Sequence, residues 1–348
     1  MAGQDLQVQV MMVGGRRCGK TSVLAAMKAN FEEVFSKTSM NIIIDDVETL
    51  ETLNQKNMEI NDYFYNVKKR TFIPDSNPTE EMTRYSLVIG LAGKKSRIKV
   101  EFVDFPGEWL TEKSHSEEIV NCMKDSQAVI VAIDTPHLME EDGRFNEHRN
   151  SCYKINEMLK MALEKENTAQ NKRLFLFVPL KCERYLKDNK MEEVYYRTCE
   201  AYKRLFDFLK KTPNKYEVAI APIFTLGCAM FSHFERDEDT QEVRIDNKFH
   251  TPEKAVYFFP DTSVKKPAPK YCEQPIVYLL GYILQMAGEQ KKNNFSNSSF
   301  GGKFMIKMKE WILHSASAND YLQHKEEIIK RIKKDGEGYH IVQNPMKF

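Results

Sequence analysis

The segment Gly14-Gly15-Arg16-Arg17-Cys18-Gly19-Lys20-Thr21 has the spacing G-x-x-x-x-G-K-[ST], and each residue type in it has a physical use. Glycines let successive backbone N–H groups wrap around an anion, and a helix beginning just after the lysine adds its positive end. Such a loop cradles the phosphates of a nucleotide. Gly14, Gly15, Arg16, Arg17, Cys18 and Gly19 would line it, Lys20 would bridge the β- and γ-phosphates, and Thr21, followed by Ser22, would set its hydroxyl on Mg²⁺. A second piece is Val100-Glu101-Phe102-Val103-Asp104-Phe105-Pro106-Gly107-Glu108, an apolar run ending in D-x-x-G. A carboxylate at the C-terminal end of a strand beside the loop, Asp104, would hold Mg²⁺ through water, while the Gly107 N–H would face the γ-phosphate. The string D-x-x-G recurs at Asp335-Gly336-Glu337-Gly338 with no strand before it, so position gives Asp104 its role.

These residues need strands and helices to hold them, and both patterns are present. Short apolar runs bounded by turn residues predict strands at 7–13, 85–91, 98–104, 128–134, 174–179 and 218–224. Apolar residues at three- and four-residue spacing predict helices at 21–35, 116–123, 151–164, 191–210 and 274–287. Alternation of the two is the pattern of a sheet covered on both faces, and the short link after Leu91, containing Gly93, predicts an antiparallel hairpin. The expected fold class is therefore α/β: a doubly wound, mostly parallel P-loop NTPase sheet with one antiparallel hairpin strand and inserted helices. Ile60, Tyr63, Phe64 and Val67 form an i, i+3, i+4, i+7 stripe that marks one inserted helix, packed on the core or offered to a partner. Residues 234–270, rich in charges and prolines, read as a long loop. The expected organisation is a P-loop domain over residues 1–290, with insertions near 38–75 and 234–270, then a polar linker and a helical C-terminal appendage over 291–348, patterned at 304–314 and 320–334.

Composition narrows the function classes. Among 348 residues, 51 Lys and Arg face 50 Asp and Glu, a net charge of +1 that gives no electrostatic reason to expect nucleic acid or an anionic membrane as partner. The longest apolar stretch, 276–287, is shorter than the about 20 residues of a membrane span. The apolar run at 8–13 lacks the basic leader of a signal peptide. Seven scattered cysteines, none in C-x-x-C spacing, argue against a zinc site and for a reducing, cytoplasmic setting. Eight histidines show no i, i+4 metal pair and no evident catalytic partner.

Taken together, the motifs resemble a P-loop GTPase of the Ras-like and translation-factor (TRAFAC) class, and within it the divergent bacterial double-GTPase or YcjX-like members; the resemblance spans residues 6–287 and stops before 292. It implies GTP and GDP as ligands and Mg²⁺ as cofactor. It places a switch I threonine ahead of the second strand, where Asn77-Pro78-Thr79-Glu80-Glu81 makes Thr79 the candidate metal ligand, with Thr71 and Thr83 as competitors. Guanine is read in this class by [NT]-K-x-D, for which the chain has Leu180-Lys181-Cys182-Glu183. Lys181 would lay its stem over the ring and Glu183 would accept the guanine N–H groups as a longer aspartate, while Leu180 departs from the polar residue of the pattern. Thr225-Leu226-Gly227 is a looser counterpart of the loop that meets guanine O6. Where relatives carry a water-orienting glutamine stands Glu108, and either Arg16 or Arg17 would point at the γ-phosphate as an internal arginine unless both turn to solvent; the expected catalytic set is Lys20, Glu108 and Arg16. The implied function is a Mg²⁺-dependent guanine-nucleotide-binding protein with slow GTP hydrolysis, a switch toward an unidentified protein effector or regulator. A nucleotide-binding scaffold without meaningful turnover and an ATP-using P-loop NTPase or kinase are the alternatives. The sequence leaves the oligomeric state open.

Overall fold

The first strand shows how position in the sheet dictates sequence: Leu6–Val13 begins with alternating exposure and ends buried on both faces, because it runs into the centre of a sheet with helices on either side. The structure is a computed structural model that describes residues 5–35, 40–65, 71–74, 81–94, 97–165, 172–261, 263–292, 303–315, 318–334 and 340–343. In chain order the strands are β1 (Leu6–Val13), β2 (Met40–Ile44), β3 (Thr71–Phe72), β4 (Thr83–Leu91), β5 (Ile98–Asp104), β6 (Ala128–Asp134), β7 (Arg173–Leu180), β8 (Tyr216–Ile220), β9 (Met230–Phe234), β10 (Ile245–Asp246), β11 (Thr251–Pro252), β12 (Ala255–Phe258) and β13 (His340–Gln343). The helices are α1 (Lys20–Phe35), α2 (Val47–Tyr65), α3 (Ser116–Asp125), α4 (Thr135–Met139), α5 (Asn146–Asn150), α6 (Cys152–Glu164), α7 (Glu183–Lys187), α8 (Met191–Ala201), α9 (Lys203–Lys210), α10 (Gln274–Lys292), α11 (Lys303–His314), α12 (Ala318–Gln323) and α13 (Lys325–Lys334).

Eight strands form one sheet in the order β13-β8-β7-β6-β1-β5-β4-β2. The centre is parallel, with β1 between β5 and β6, and β4 runs antiparallel to β5 through the short hairpin. This is the doubly wound P-loop fold that the sequence predicts, and two further antiparallel strands, β2 and β13, close its edges. In β7, Leu174, Leu176, Val178 and Leu180 point to one face while Phe175 and Phe177 point to the other, the two-residue period of a strand. The first face is covered by α1, α10 and the C-terminal helices, which send Met305, Met308, Trp311 and Tyr321 into the same core as Leu24 and Tyr278. Burying a side chain such as Met308 contributes roughly 1.5–3 kcal/mol, and the Tyr321 hydroxyl donates to Ile89 O at 3.1 Å. The second face packs α3, α6 and α9 through Ile119, Ile155 and Phe206.

Several elements differ from expectation for identifiable reasons. The strand expected at 218–224 ends at Ile220 because Pro222 has no N–H to donate; Ile223 then only bridges Leu180, and Phe224 bridges Lys270. The single helix expected over 191–210 breaks at Tyr202, whose ring packs between Phe177 and Phe206. The region read as a loop at 234–270 holds β10, β11 and β12, and β12 pairs with both β3 and β9 in a three-stranded sheet. These strands are two to five residues long, too short to show a period. The inserted helix is α2, and its stripe packs inward: Ile60 and Phe64 are buried, Phe64 against Phe259, while Val67 lies outside the described residues. Among the described residues no helix is long and apolar enough to cross a membrane.

Candidate functional site

The phosphate loop runs from the end of β1 into the first turn of α1, and its shape is set by close contacts with two other segments. A Cβ on Gly15 would sit 1.6 Å from the carbonyl oxygen of Arg149 in α5, and one on Gly107 would sit 2.2 Å from the Arg16 nitrogen. No side chain fits at either point, so both the D-x-x-G turn and α5 rest directly on the loop backbone. Lys20, only 6% exposed, donates to Gly14 O at 3.2 Å and stands 3.7 Å from Asp104 Oδ1. Burial works to lower its pKa, but Asp104, Cys18 and Glu108 together outweigh this and hold the ammonium above the usual lysine range. The Thr21 hydroxyl donates to Asp104 Oδ2 at 2.9 Å. Among the described residues Asp104 Oδ1, fully buried at the end of β5, accepts no hydrogen bond. No three His, Cys, Asp or Glu side chains among the described residues could hold a metal by themselves. A cation here would rely on Thr21, Asp104 and phosphate oxygens, all hard ligands suited to Mg²⁺.

Beyond Gly107 the chain turns through Glu108, whose carboxylate forms an ion pair with Arg16 Nε. The Arg16 guanidinium also lies 4.4 Å over the ring of Phe249, in the β10–β11 turn, so this side chain is held from two sides. Trp109 stacks on His115 with ring centroids 3.8 Å apart. Thr79 lies outside the described residues; Thr71 opens β3 and Thr83 opens β4, where its hydroxyl donates to Glu81 O.

Lys181 and Glu183 follow directly on β7 and face the same opening. Lys181, with a left-handed φ of 61°, places its Nζ 2.6 Å from Asp134 Oδ2 and 3.4 Å from the carbonyl of Arg17. Glu183 is buried, and its Oε1 accepts from Gly227 N at 3.1 Å. Burial pushes its pKa up to about 7, against the pull of backbone N–H groups and of Lys181. A cavity of about 690 Å³ connects Arg17, Cys18, Gly19 and Ser22 of the phosphate loop to Leu180, Lys181, Glu183, Thr225 and Leu226. Ile60 and Tyr63 of α2 and Tyr257 of β12 also line it. Its volume suits a nucleotide-sized ligand.

Sequence reasoning missed four residues beside the loop, three of which, Asp134, His137 and Arg149, line the same cavity. Asp134, at the C-terminal end of β6, accepts from His137 Nδ1 at 2.6 Å; His137 Nε2 accepts from Arg149 Nε at 3.2 Å; and Arg149 Nη1 donates to Arg16 O at 3.0 Å. Asn150 completes the set, accepting from Asp134 N at 2.7 Å and donating to Asp134 O at 3.1 Å. Because Arg149 has only donors, His137 must be the neutral tautomer with its proton on Nδ1. Burial, offset in part by Asp134, agrees with this and lowers the His137 pKa to about 4. Burial alone would raise Asp134, yet His137 and Lys181 together hold its carboxyl well below the usual range. The one available signal was position, since strand C-terminal ends are where ligands bind in such sheets.

The sequence profile of the Double-GTPase 2 family matches residues 9–219, more than half of the chain and a span holding the phosphate loop, Asp104 to Gly107, and Lys181 to Glu183. The chain belongs to this family. Membership in the Double-GTPase 2 family supports GTP binding. Among solved structures, the GTPase-like domain of Ski7 from S. cerevisiae is similar in two forms: one bound to GDP and inorganic phosphate (TM-score 0.38) and one bound to GTP (TM-score 0.39). Both are 14% identical and cover 64% of this chain, which in turn spans 43% of theirs. No curated protein matches the sequence.

Proposed function

We propose that this Double-GTPase 2 member binds GTP and GDP with Mg²⁺, hydrolyses GTP slowly, and switches a protein effector or regulator between two states. The observation that carries this reading is the contact of Lys181 Nζ with the carbonyl of Arg17, which brings a base-reading lysine onto the phosphate loop with Glu183 in the same cavity. The loop amides and Lys20 bind the phosphates, and the Lys181 stem and the Glu183 carboxylate bind the base. Thr21 and Asp104 fit Mg²⁺, given the oxygen of Asp104 that accepts no hydrogen bond; Thr79 would supply the switch I oxygen. When bound, the cation neutralises charge on the β- and γ-phosphates. Arg16, drawn from Glu108 to the γ-phosphate, leaves Glu108 to accept a hydrogen bond from the attacking water, while the Gly107 N–H meets a γ-oxygen. Hydrolysis is slow because a carboxylate beside a triphosphate is repelled unless that arginine compensates it.

Calorimetric titration with GTP, GDP and ATP, in Mg²⁺ and in EDTA, tests the binding half. Guanine-selective, Mg²⁺-sensitive binding lost in Lys20→Ala and weakened in Glu183→Ala is expected; equal binding of ATP, indifferent to Glu183, would replace this reading by an ATP-using NTPase. The Arg16–Glu108 ion pair favours a second reading, a nucleotide-binding scaffold, since it occupies both candidate catalytic groups at once. Single-turnover hydrolysis separates the two: GTP left intact over hours by wild type, Arg16→Ala and Glu108→Gln alike means a scaffold.

A further inference from the structure

Two adjacent carbonyls of the phosphate loop are held by cations from elsewhere in the chain: Arg16 O by Arg149 at 3.0 Å and Arg17 O by Lys181 at 3.4 Å. Both cations lead back to one buried carboxylate. Lys181 touches Asp134 Oδ2 directly, and Arg149 reaches Oδ1 through the His137 ring. From this juxtaposition we infer that Asp134, His137 and Arg149 form a positioning unit that orients the phosphate loop and Lys181 for nucleotide binding. The inference rests on the guanine-nucleotide reading above.

The physical argument starts at the peptide unit. A trans peptide is planar, and its C=O and N–H point in opposite directions. Fixing the carbonyl of Arg16 toward Arg149 therefore turns the Arg17 N–H the other way, and fixing the carbonyl of Arg17 does the same for the Cys18 N–H. The Cys18 N–H does turn back across the loop, where it donates to Gly15 O at 3.4 Å and closes the loop's own turn, so its part is to set the loop's shape. Amides oriented before the ligand arrives cost less on binding than amides that must be ordered by it. The loop needs such help because Arg17 itself has a left-handed φ of 56°, a conformation that a non-glycine residue adopts only where its surroundings impose it.

The charges are arranged to hold this geometry rather than to support packing alone. A lysine and an arginine so close together would repel, and the carboxylate between them removes that repulsion. His137 separates Arg149 from Asp134 by one ring, so the arginine can reach a carbonyl that the carboxylate itself does not approach. Asp134 and Leu180 are paired in register at the ends of β6 and β7. A charged partner for Lys181 thus comes from the neighbouring strand, beside the position where the [NT]-K-x-D pattern has its polar residue and this chain has leucine.

The test measures GDP affinity and thermal midpoint on the full chain for Arg149→Met, Arg149→Lys, His137→Phe and His137→Gln. Arg149 is half-buried, so its variants keep the fold, whereas Asp134→Asn risks unfolding and is not relied upon. Loss of a charge-assisted bond predicts a Kd for GDP raised about tenfold or more in Arg149→Met and His137→Phe. The conservative Arg149→Lys and His137→Gln, which keep a donor to Arg16 O and a donor–acceptor pair at 137, should recover most of it. Unchanged GDP affinity in Arg149→Met and His137→Phe, whatever their thermal midpoints, overturns the positioning role while the nucleotide reading stands. Conservative variants as weak as the others overturn it too. A wild-type protein that binds no GDP removes the nucleotide reading itself, and this inference with it.

Discussion

Asp134 and Leu180 end adjacent parallel strands side by side, the carboxylate reaching across to Lys181 while the leucine turns into the core with 1% of its surface exposed. A polar residue at 180 is therefore not merely absent; its place is apolar. Replacing Leu180 with Asn should destabilise the protein by roughly 2–4 kcal/mol, by losing buried methyl groups and burying an amide without partners. Denaturant unfolding checks this, and a stability equal to wild type would mean the strand end tolerates the amide.

Glu183 links nucleotide binding to protons. Its pKa of about 7 in the free site lies above the ordinary 4.5, so the protonated form favours the folded state. Its stabilising contribution is present below pH 4.5 and is lost as pH rises toward 7. Guanine N–H groups need the ionised carboxylate, so GDP affinity should rise with pH through about 7, with a fraction of a proton released per nucleotide bound at that pH. Calorimetry in two buffers of different ionisation enthalpy measures the release, and Glu183→Gln should abolish it.

Gly15 has no room for a side chain, its Cβ position lying 1.6 Å from Arg149 O. Gly15→Ala must push α5 and the loop apart, which separates Arg149 from Arg16 O as well. GDP affinity should fall by about tenfold or more. Gly93→Ala, in the open β4–β5 hairpin with nothing within 4 Å, should leave GDP affinity unchanged despite its strained φ of 74°. Parallel titration of the two variants decides.

Trp109 offers a direct view of the segment after Gly107. It stacks on His115, whereas the second tryptophan, Trp311, is fully buried on the other side of the sheet. Exchange of GDP for a non-hydrolysable GTP analogue should change tryptophan emission in wild type and not in Trp109→Phe. Identical spectra in the two nucleotide states would count against a switch at this segment.

Much of the fold was legible because its signals are local. The runs at 98–104 and 128–134 are strands β5 and β6 to the residue: β6 is buried on both faces and reads as a nearly unbroken apolar stretch, while β5 alternates through Lys99 and Glu101 with the two-residue period of a strand before its buried end. The loop between β1 and α1 was legible for the same reason: its glycines, lysine and threonine lie within eight consecutive residues. The sequence alone also determined that Lys181 and Glu183 would follow a buried strand together. Other features rest on contacts between distant residues, and only the tertiary structure decided them. Arg149 and the carbonyl it holds are 133 positions apart, Lys181 and Asp134 are 47 apart, and no local pattern announces either pairing. The same holds for β3, β9 and β12, two to five residues each, which become a sheet only by meeting one another. Periodicity records what a segment does to its own neighbours; a buried carboxylate at the end of one strand acquires its role from the side chains that other segments bring to it.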